Sequence, residues 1–422
     1  MADWFSPLRS IKNVKNNFIA NTADGALYAF GMSFISLNTI MPVFVKKLSG
    51  SNIAVGLIPV FWTIGFNFPQ IFFANYVRKL PYKKNLLLKT AIGQRIPWLI
   101  LAILSFFLFE SIDSSVALIL FFSAFLLAAV AGSINLPGWF DLVAKLTPVQ
   151  LRGRLFASRA FLGSLLGIAG GITAEKILNS VHYPVSFGIL FSATFFLMMI
   201  SYCFLLTLKE EEPNPPKKEL HFLEFFHGLP YILKKNKNFR NFLIADALLI
   251  TALMADAFYA VNALQKFSLP DSFAGIFTVI VMISIMTGNL LFGFLADKYG
   301  HKLTLSVAAV SSFAACIIAV ISPSIEIYFF VFAGSASTTT LIQLSRLPIV
   351  AELCSEEDRP TYVSLTNVLT APFILSAMAG GWIANSFGYN FVFAAGGVSA
   401  LASALWYLTM VEEPRKVFAA NS

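Results

Sequence analysis

Three carboxylates stand inside long apolar runs of this chain: Asp24, Asp246 and Asp256. Asp24 lies about seven residues into the first run, roughly 10 Å deep at the rise of an α-helix. A charged side chain at such depth in lipid is expensive, and it faces a cavity or a partner. A carboxylate so placed can take a proton from one side of a membrane and release it to the other. It can equally anchor a helix end at the interface. Asp246 occupies the matching position in the seventh run and has the same two readings. Asp256 lies deeper and has no counterpart in the first half, which makes it the better coupling candidate against a purely structural role.

Three arginines share these depths. Arg95 could neutralise Asp24, and the length of its stem favours snorkelling to the inner surface. Arg159 and Arg346 could attract an anionic solute, or could balance Asp141 and Glu352, the reading their positions favour. Other chemistries lack their residues. His182, His221, His227 and His301 fall between the runs, so neither an embedded metal site nor a Ser-His-Asp triad is supported. Cys203, Cys316 and Cys354 are too scattered for a disulfide framework. A phosphate-binding loop is absent, which argues against ATP as the power source. The sequence reads as a non-enzyme that needs no cofactor.

The elements that would position these groups are membrane helices. Of 422 residues, 57% are hydrophobic and 12% charged, where a soluble domain carries about 25% charged. Apolar runs of about 20 residues recur, each enough to cross a bilayer. They do not alternate as barrel strands would. The predicted spans are 17–43, 52–76, 86–109, 114–140, 155–178, 184–208, 239–264, 271–296, 303–322, 325–350, 361–386 and 388–411. The fold class is therefore an all-α polytopic membrane protein with 12 transmembrane helices. Numbered alternately, the loops place Lys46, Lys47, Lys176 and Lys266 on one side and the other 26 of the 30 Lys and Arg on or toward the other. That is the positive-inside pattern, and it puts both termini in the cytoplasm. The net charge of +8 is thus a topology signal, and nucleic acid is not an expected partner. A cleavable signal peptide is not evident, and the first span is expected to direct insertion.

Residues 1–16 read as a cytoplasmic interfacial segment. Residues 17–208 form a first six-helix bundle, 209–238 a linker, 239–411 a second bundle and 412–422 a cytoplasmic tail. The linker begins with prolines and charges at 210–218 and continues from His221 to Lys235 as an amphipathic surface helix. The halves look like copies. Lys15 to Leu27 parallels Lys237 to Leu249, which sets Asp24 opposite Asp246 and Asn75 opposite Asp297. Further on, Arg152 falls opposite Arg359, and Gly170-Gly171 recurs as Gly380-Gly381. Parallel six-span halves are a transporter architecture with the substrate site at mid-membrane.

One loop carries a specific pattern: Gly293, three residues, Asp297, Lys298, any residue, Gly300, His301 and Lys302. Gly293 would let helix backbones approach closely, Asp297 would end the helix, and Gly300 would supply the turn. This stretch resembles the loop signature of the major facilitator superfamily, with His301 where the family prefers Arg or Lys. Pro148 to Gly153 resembles a second signature of that superfamily, although its acid is replaced by Lys145; the second half keeps Glu352 ahead of Arg359. The resemblance implies two pseudo-symmetric six-helix bundles. It also implies a conformational gate from Gly293, Asp297, Lys298, Gly300, Lys302, Glu352, Arg359 and Arg152, asymmetric because the first half lacks both acids. The glycines of span five, Gly163, Gly167 and Gly170-Gly171, resemble a drug-exporter signature weakly, and close packing explains them better.

In members of the superfamily, spans one, four, seven and ten line the cavity. That favours Asn38, Asn135, Asn262 and Gln343, with Trp139, Tyr259, Arg346 and Asn367 as further substrate-cavity candidates. Each alone could instead be packing glue between helices. The resemblance implies a secondary active transporter in the cytoplasmic (inner) membrane, monomeric and surrounded by lipid. It would move a small organic solute by alternating access, driven by protons or by Na⁺ in their place. A multidrug/H⁺ antiporter is the alternative within that class. A lipid-handling or receptor protein that kept the fold without ion-driven transport is the alternative outside it.

Overall fold

The computed structural model describes residues 13–210, 213, 232–355 and 358–415. Most of the expected interfacial segment and of the linker helix lies outside these residues, as does the end of the tail. The described chain is helical throughout. The helices are α1 (Val14–Ser33), α2 (Ile40–Ser49), α3 (Asn52–Lys79), α4 (Lys84–Phe107), α5 (Ser114–Leu146), α6 (Val149–Ser180) and α7 (Val185–Thr207). After the linker come α8 (Lys237–Ala252), α9 (Tyr259–Lys266), α10 (Phe273–Tyr299), α11 (His301–Ile321) and α12 (Ile325–Glu352). They are followed by α13 (Arg359–Thr370), α14 (Ser376–Phe387) and α15 (Tyr389–Met410). Among the described residues, 11 helical segments are long and apolar enough to cross a membrane. Their outer faces carry bare Phe72, Ile119, Leu290, Phe294 and Val398, tolerable in lipid and costly in water.

The twelfth expected span, 17–43, is the one not among these eleven, because it is broken. After α1 the backbone tightens, with Phe34 N–H donating to Gly31 carbonyl at 3.2 Å and Ile35 N–H to Met32 at 3.2 Å. Helix resumes only at Ile40, two residues before Pro42. Proline cannot donate to the carbonyl four residues back and crowds it, so a first turn suits it best, although Pro97, Pro137 and Pro348 lie inside α4, α5 and α12. Two other expected spans are also interrupted. Pro372 lies in a 3₁₀ turn, Ala371–Leu375, between α13 and α14. Leu253–Ala257, between α8 and α9, is a 3₁₀ turn that holds Asp256 and no proline.

The chain forms two compact units. The first comprises Met1–Ser36 and Phe61–Leu220, the second Leu37–Val60 and His221–Ser422. Within the first, α1 packs on α6 and α7, and α4 on α5 and α7. Within the second, α15 packs on α8 and α11, and α11 on α12. Three of the four pairings therefore recur between corresponding spans, as the internal repeat of the sequence implies.

Residues 37–60, a hairpin of α2 and the start of α3, belong by their contacts to the second unit. Thr39 and Thr278 hydroxyls meet at 2.6 Å, and Lys47 pairs with Asp271. Asn52 Oδ1 accepts from Tyr389 at 2.7 Å and from Lys46 at 2.8 Å. Small residues make the closest approach possible. A Cβ on Gly381 would meet the Asn52 carbonyl oxygen at 2.5 Å and Ile53 Cα at 2.7 Å. Gly381→Leu is expected to lift the hairpin from α14. Spin labels at Ser49 and Ser272 should then report a longer, broader distance distribution, and an unchanged one would contradict this packing.

Candidate functional site: embedded ion pairs and a polar cavity

Asp24 projects from α1 and is 4% exposed. The Ser201 hydroxyl donates to its Oδ1 at 2.7 Å, and Arg159 Nη1 donates to its Oδ2 at 3.2 Å and to the Asn21 carbonyl. Arg95 does not snorkel. It is 1% exposed and spends its donors inside the unit: Nε on Met198 carbonyl at 2.7 Å, Nη1 on Ala91 carbonyl at 2.8 Å, Nη2 on Ser201 Oγ at 3.2 Å. Ser201 thus links Arg95 to Asp24. The depth that suggested snorkelling is met instead by backbone carbonyls of α4 and α7.

Asp246 repeats the arrangement with a different helix as donor. Arg346 Nε lies 3.0 and 2.9 Å from its two oxygens. Arg346 Nη1 donates to Asn367 Oδ1 at 3.1 Å and Nη2 to Thr370 Oγ1 at 2.9 Å. The sequence reading set Arg159 and Arg346 against Asp141 and Glu352; the structure sets each against an embedded aspartate. The reason is reach: both guanidiniums lie on helix faces turned toward α1 and α8, and a buried carboxylate with a well-placed guanidinium avoids the cost of an isolated charge.

Asp256 is 9% exposed and different. The Ser335 hydroxyl hydrogen-bonds it, and no Lys, Arg or His pairs with it among the described residues. Its surroundings are polar but neutral. Tyr259 Oη lies 3.2 Å from Cys316 Sγ. Asn262 donates to Tyr328 Oη at 2.9 Å, which donates to the Tyr259 carbonyl at 3.1 Å. Tyr259 and Asn262 are therefore tied into a buried network. Asn38 sits half-buried in the break after α1, while Gln343 and Asn367 are exposed.

The first unit contains a cavity of about 190 Å³. Asp24, Tyr28, Gln94, Arg95, Asn135, Trp139 and Arg159 supply its polar and aromatic lining, and Phe66, Leu87, Leu136 and Leu205 its apolar wall. Arg159 Cζ lies 4.8 Å from the centre of the Trp139 ring, and Gln94 donates to Tyr28 Oη at 2.8 Å. Asn135 Oδ1 is buried without a partner. Asn135 and Trp139 were legible as cavity candidates; Gln94 and Leu205 were not singled out for it.

The helix ends where a gate was expected carry local clasps in each unit. Helix α10 runs past Asp297 to Tyr299 and is stopped by Gly300 at φ +89°. Glycine suits that backbone conformation, and the Glu413 carboxylate packs where a Cβ would stand, 2.5 Å away. Gly293 has open space where a Cβ would point, so the close approach expected there does not occur. Asp297 and Lys298 are exposed. Glu352 pairs with Arg415 at 2.9 Å and lies 3.7 Å from His301 Nε2, rather than meeting Arg359. Arg415 Nη1 also donates to the Asp297 carbonyl at 3.1 Å. Neither Arg415 nor His301, which opens α11 and is buried, was expected in this role. The repeat of acid-acid-proline at 211–213 and 412–414 was the available signal.

Each unit uses one acid as a helix N-terminal cap. Glu210 Oε2 accepts from the backbone N–H of Lys83 and Lys84, both at 2.9 Å. Glu413 Oε2 accepts from Lys302 N–H at 3.1 Å; burial pushes the Glu413 carboxyl up, and that bond holds it partly back. Lys145, where the first half lacks its acid, pairs with Glu210 at 3.0 Å. The charges are exchanged between units and the clasp persists. Arg359 Nε donates to the Ala351 carbonyl at 3.3 Å, and Arg152 Nη2 donates to the Ala144 carbonyl. Each arginine thus caps the preceding helix eight residues back.

The family model described as Major Facilitator Superfamily matches residues 25–265 and 247–421. No curated protein sequence matches the chain. Among solved structures, a variant of the nucleoside transporter NupG is similar with a TM-score of 0.71 at 14% identity, covering 94% of this chain and 100% of that one. The D-xylose-proton symporter gives a TM-score of 0.67 at 14% identity, covering 96% and 99%. A POT family transporter in complex with 5-aminolevulinic acid gives 0.70 at 11% identity, covering 96% of each. At these identities the likeness is one of fold.

Asp246→Asn would leave Arg346 charged and without its counter-ion. Breaking a buried pair in this way costs about 3–5 kcal/mol, so the melting point of the purified protein is expected to fall. Replacing both partners, as Asp246→Leu with Arg346→Met, should recover most of the loss. A single variant as stable as the parent would contradict the assignment.

Proposed function

The chain belongs to the Major Facilitator Superfamily, and from that premise we propose that it transports a small organic solute across the cytoplasmic membrane by alternating access, with protons as the coupling ion and Asp256 as the coupling carboxylate. Both termini would then lie in the cytoplasm, and a single chain would suffice. The observation that carries this reading is the inequality of the three embedded aspartates. Asp24 and Asp246 have guanidinium partners, so their buried charge is compensated within the protein. Asp256 has the Ser335 hydroxyl bonded to it and no cationic partner among the described residues, and charge without a counter-ion is costly to bury. It therefore has the most to gain from exchanging a proton when its access to water changes. It also sits in a 3₁₀ turn that interrupts its span. Interrupted spans are where secondary transporters place substrate and ion sites, because the break can flex without unwinding a whole helix. Proton coupling is the mode named for one of the structures of like fold, the D-xylose-proton symporter.

The test is reconstitution into liposomes with an imposed pH gradient and a panel of labelled solutes. The transported solute is expected to accumulate against its gradient in the parent protein. Asp256→Asn should keep solute exchange at equal pH and lose accumulation driven by the gradient. Accumulation by Asp256→Asn equal to that of the parent, or transport indifferent to the proton gradient, would contradict the proposal.

A further inference from the structure

We propose that the cavity of the first unit binds a small organic monoanion, its carboxylate held by the Nε and Nη2 donors of Arg159; this rests on the transporter reading and names its substrate class. Charge is the first argument. Arg95 and Arg159 line the cavity against a single carboxylate, Asp24. The set is left with one excess positive charge in surroundings where an uncompensated ion is costly. A monoanion completes neutrality, a neutral solute leaves the excess in place, and a cation adds to it.

Donor accounting is the second. Arg95 has spent all three guanidinium nitrogens on protein acceptors. Arg346, which holds Asp246 in the second unit, has done the same. Arg159 uses only Nη1, for Asp24 and the Asn21 carbonyl. Its Nε and Nη2 have no hydrogen-bond partner among the described residues. These two nitrogens are a parallel pair of donors, the geometry that chelates a carboxylate. The group is also held in place. A Cβ on Gly25 would collide with the guanidinium, and the Trp139 ring lies 4.8 Å from Cζ. A preset fork loses little freedom on binding.

The remaining lining sets the rest of the ligand. Trp139 and Phe66 offer flat apolar walls for a planar body. Asn135 Oδ1 lacks a donor, and Tyr28 Oη, which accepts from Gln94, keeps its own proton to give. The cavity, about 190 Å³, is below the roughly 300–1,000 Å³ of sites for drug-sized ligands, so the acid is small: one ring or a short chain.

Nicotinate, nicotinamide and 3-pyridylmethylamine share a ring and differ in charge, and their binding to the purified full-length protein in lipid nanodiscs can be read by thermal shift. Nicotinate is expected to stabilise the protein with a dissociation constant about tenfold or more below those of the other two. Arg159→Lys keeps a cation beside Asp24 and removes the fork, so it should abolish that preference. Asp24→Asn, which raises the excess positive charge, should tighten nicotinate. The proposal is overturned by any of three results: no shift with nicotinate, equal binding of the amide or amine, or Asp24→Asn binding nicotinate more weakly. Exchange in proteoliposomes separates the two levels. Nicotinate that binds and never exchanges would sink the transport reading alone, whereas exchange of neutral or cationic solutes only would sink this one and leave transport standing.

Discussion

The constraint on which the rest of this molecule depends is the cost of charge in lipid. A chain that is 12% charged and 57% hydrophobic has few ionisable groups to place inside its spans. Those it places there must be balanced, shared or used. Two of the three embedded aspartates are balanced by arginine, and the third is left with hydroxyl and thiol neighbours. The paired groups fix helices together: Asp24 joins α1 to α6 and, through Ser201, to α7 and Arg95, while Asp246 joins α8 to α12 and α13. The unpaired one sits where its own helix is interrupted. Rigidity and responsiveness are thereby assigned to different carboxylates of the same chemical type.

The internal repeat shows how such roles diverge. Asp24 and Asp246 match, yet their partners come from non-equivalent helices. Arg346 lies 207 positions after Trp139, the same interval that separates Arg359 from Arg152. One half thus has an indole where the other has a guanidinium, and recovers its cation from α6. The indole then packs on that recovered arginine. The exchange leaves the second arginine fully bonded and the first with two free donors. A cavity lined by the first arginine, and a second arginine bonded through all three of its nitrogens, accompany it. The clasps at the helix ends were altered in the same manner, with Lys145–Glu210 in one unit and Glu352–Arg415 in the other.

Much of this was written in local sequence. Apolar runs of span length gave the helices, and the Gly300 turn was legible because only glycine tolerates its φ; the three interruptions fall inside runs that read as continuous spans, since proline also occurs within unbroken helices at Pro97, Pro137 and Pro348. The embedded aspartates stood out against an apolar background. What local sequence did not carry was azimuth and distance. Arg159 and Arg346 lie more than 90 residues from their partners, so only packing decides which way they face. Arg95 was misjudged because stem length suggested an escape to water, while carbonyls of α4 and α7 offered acceptors closer at hand. Gly293 belongs to a recognisable pattern, yet open space faces it here. The 3₁₀ turn at Asp256 has no proline to announce it.

Asp256 is proposed as the one embedded aspartate that exchanges a proton as the protein works. Infrared difference spectroscopy of the protein in lipid, stepped across the physiological pH range, observes the carbonyl stretch of a protonated carboxyl directly. The expected result is one such band that rises as pH falls and is missing from Asp256→Asn while persisting in Asp246→Asn. A titrating band that survives in Asp256→Asn, or the absence of any titrating carboxyl in the parent, would contradict it.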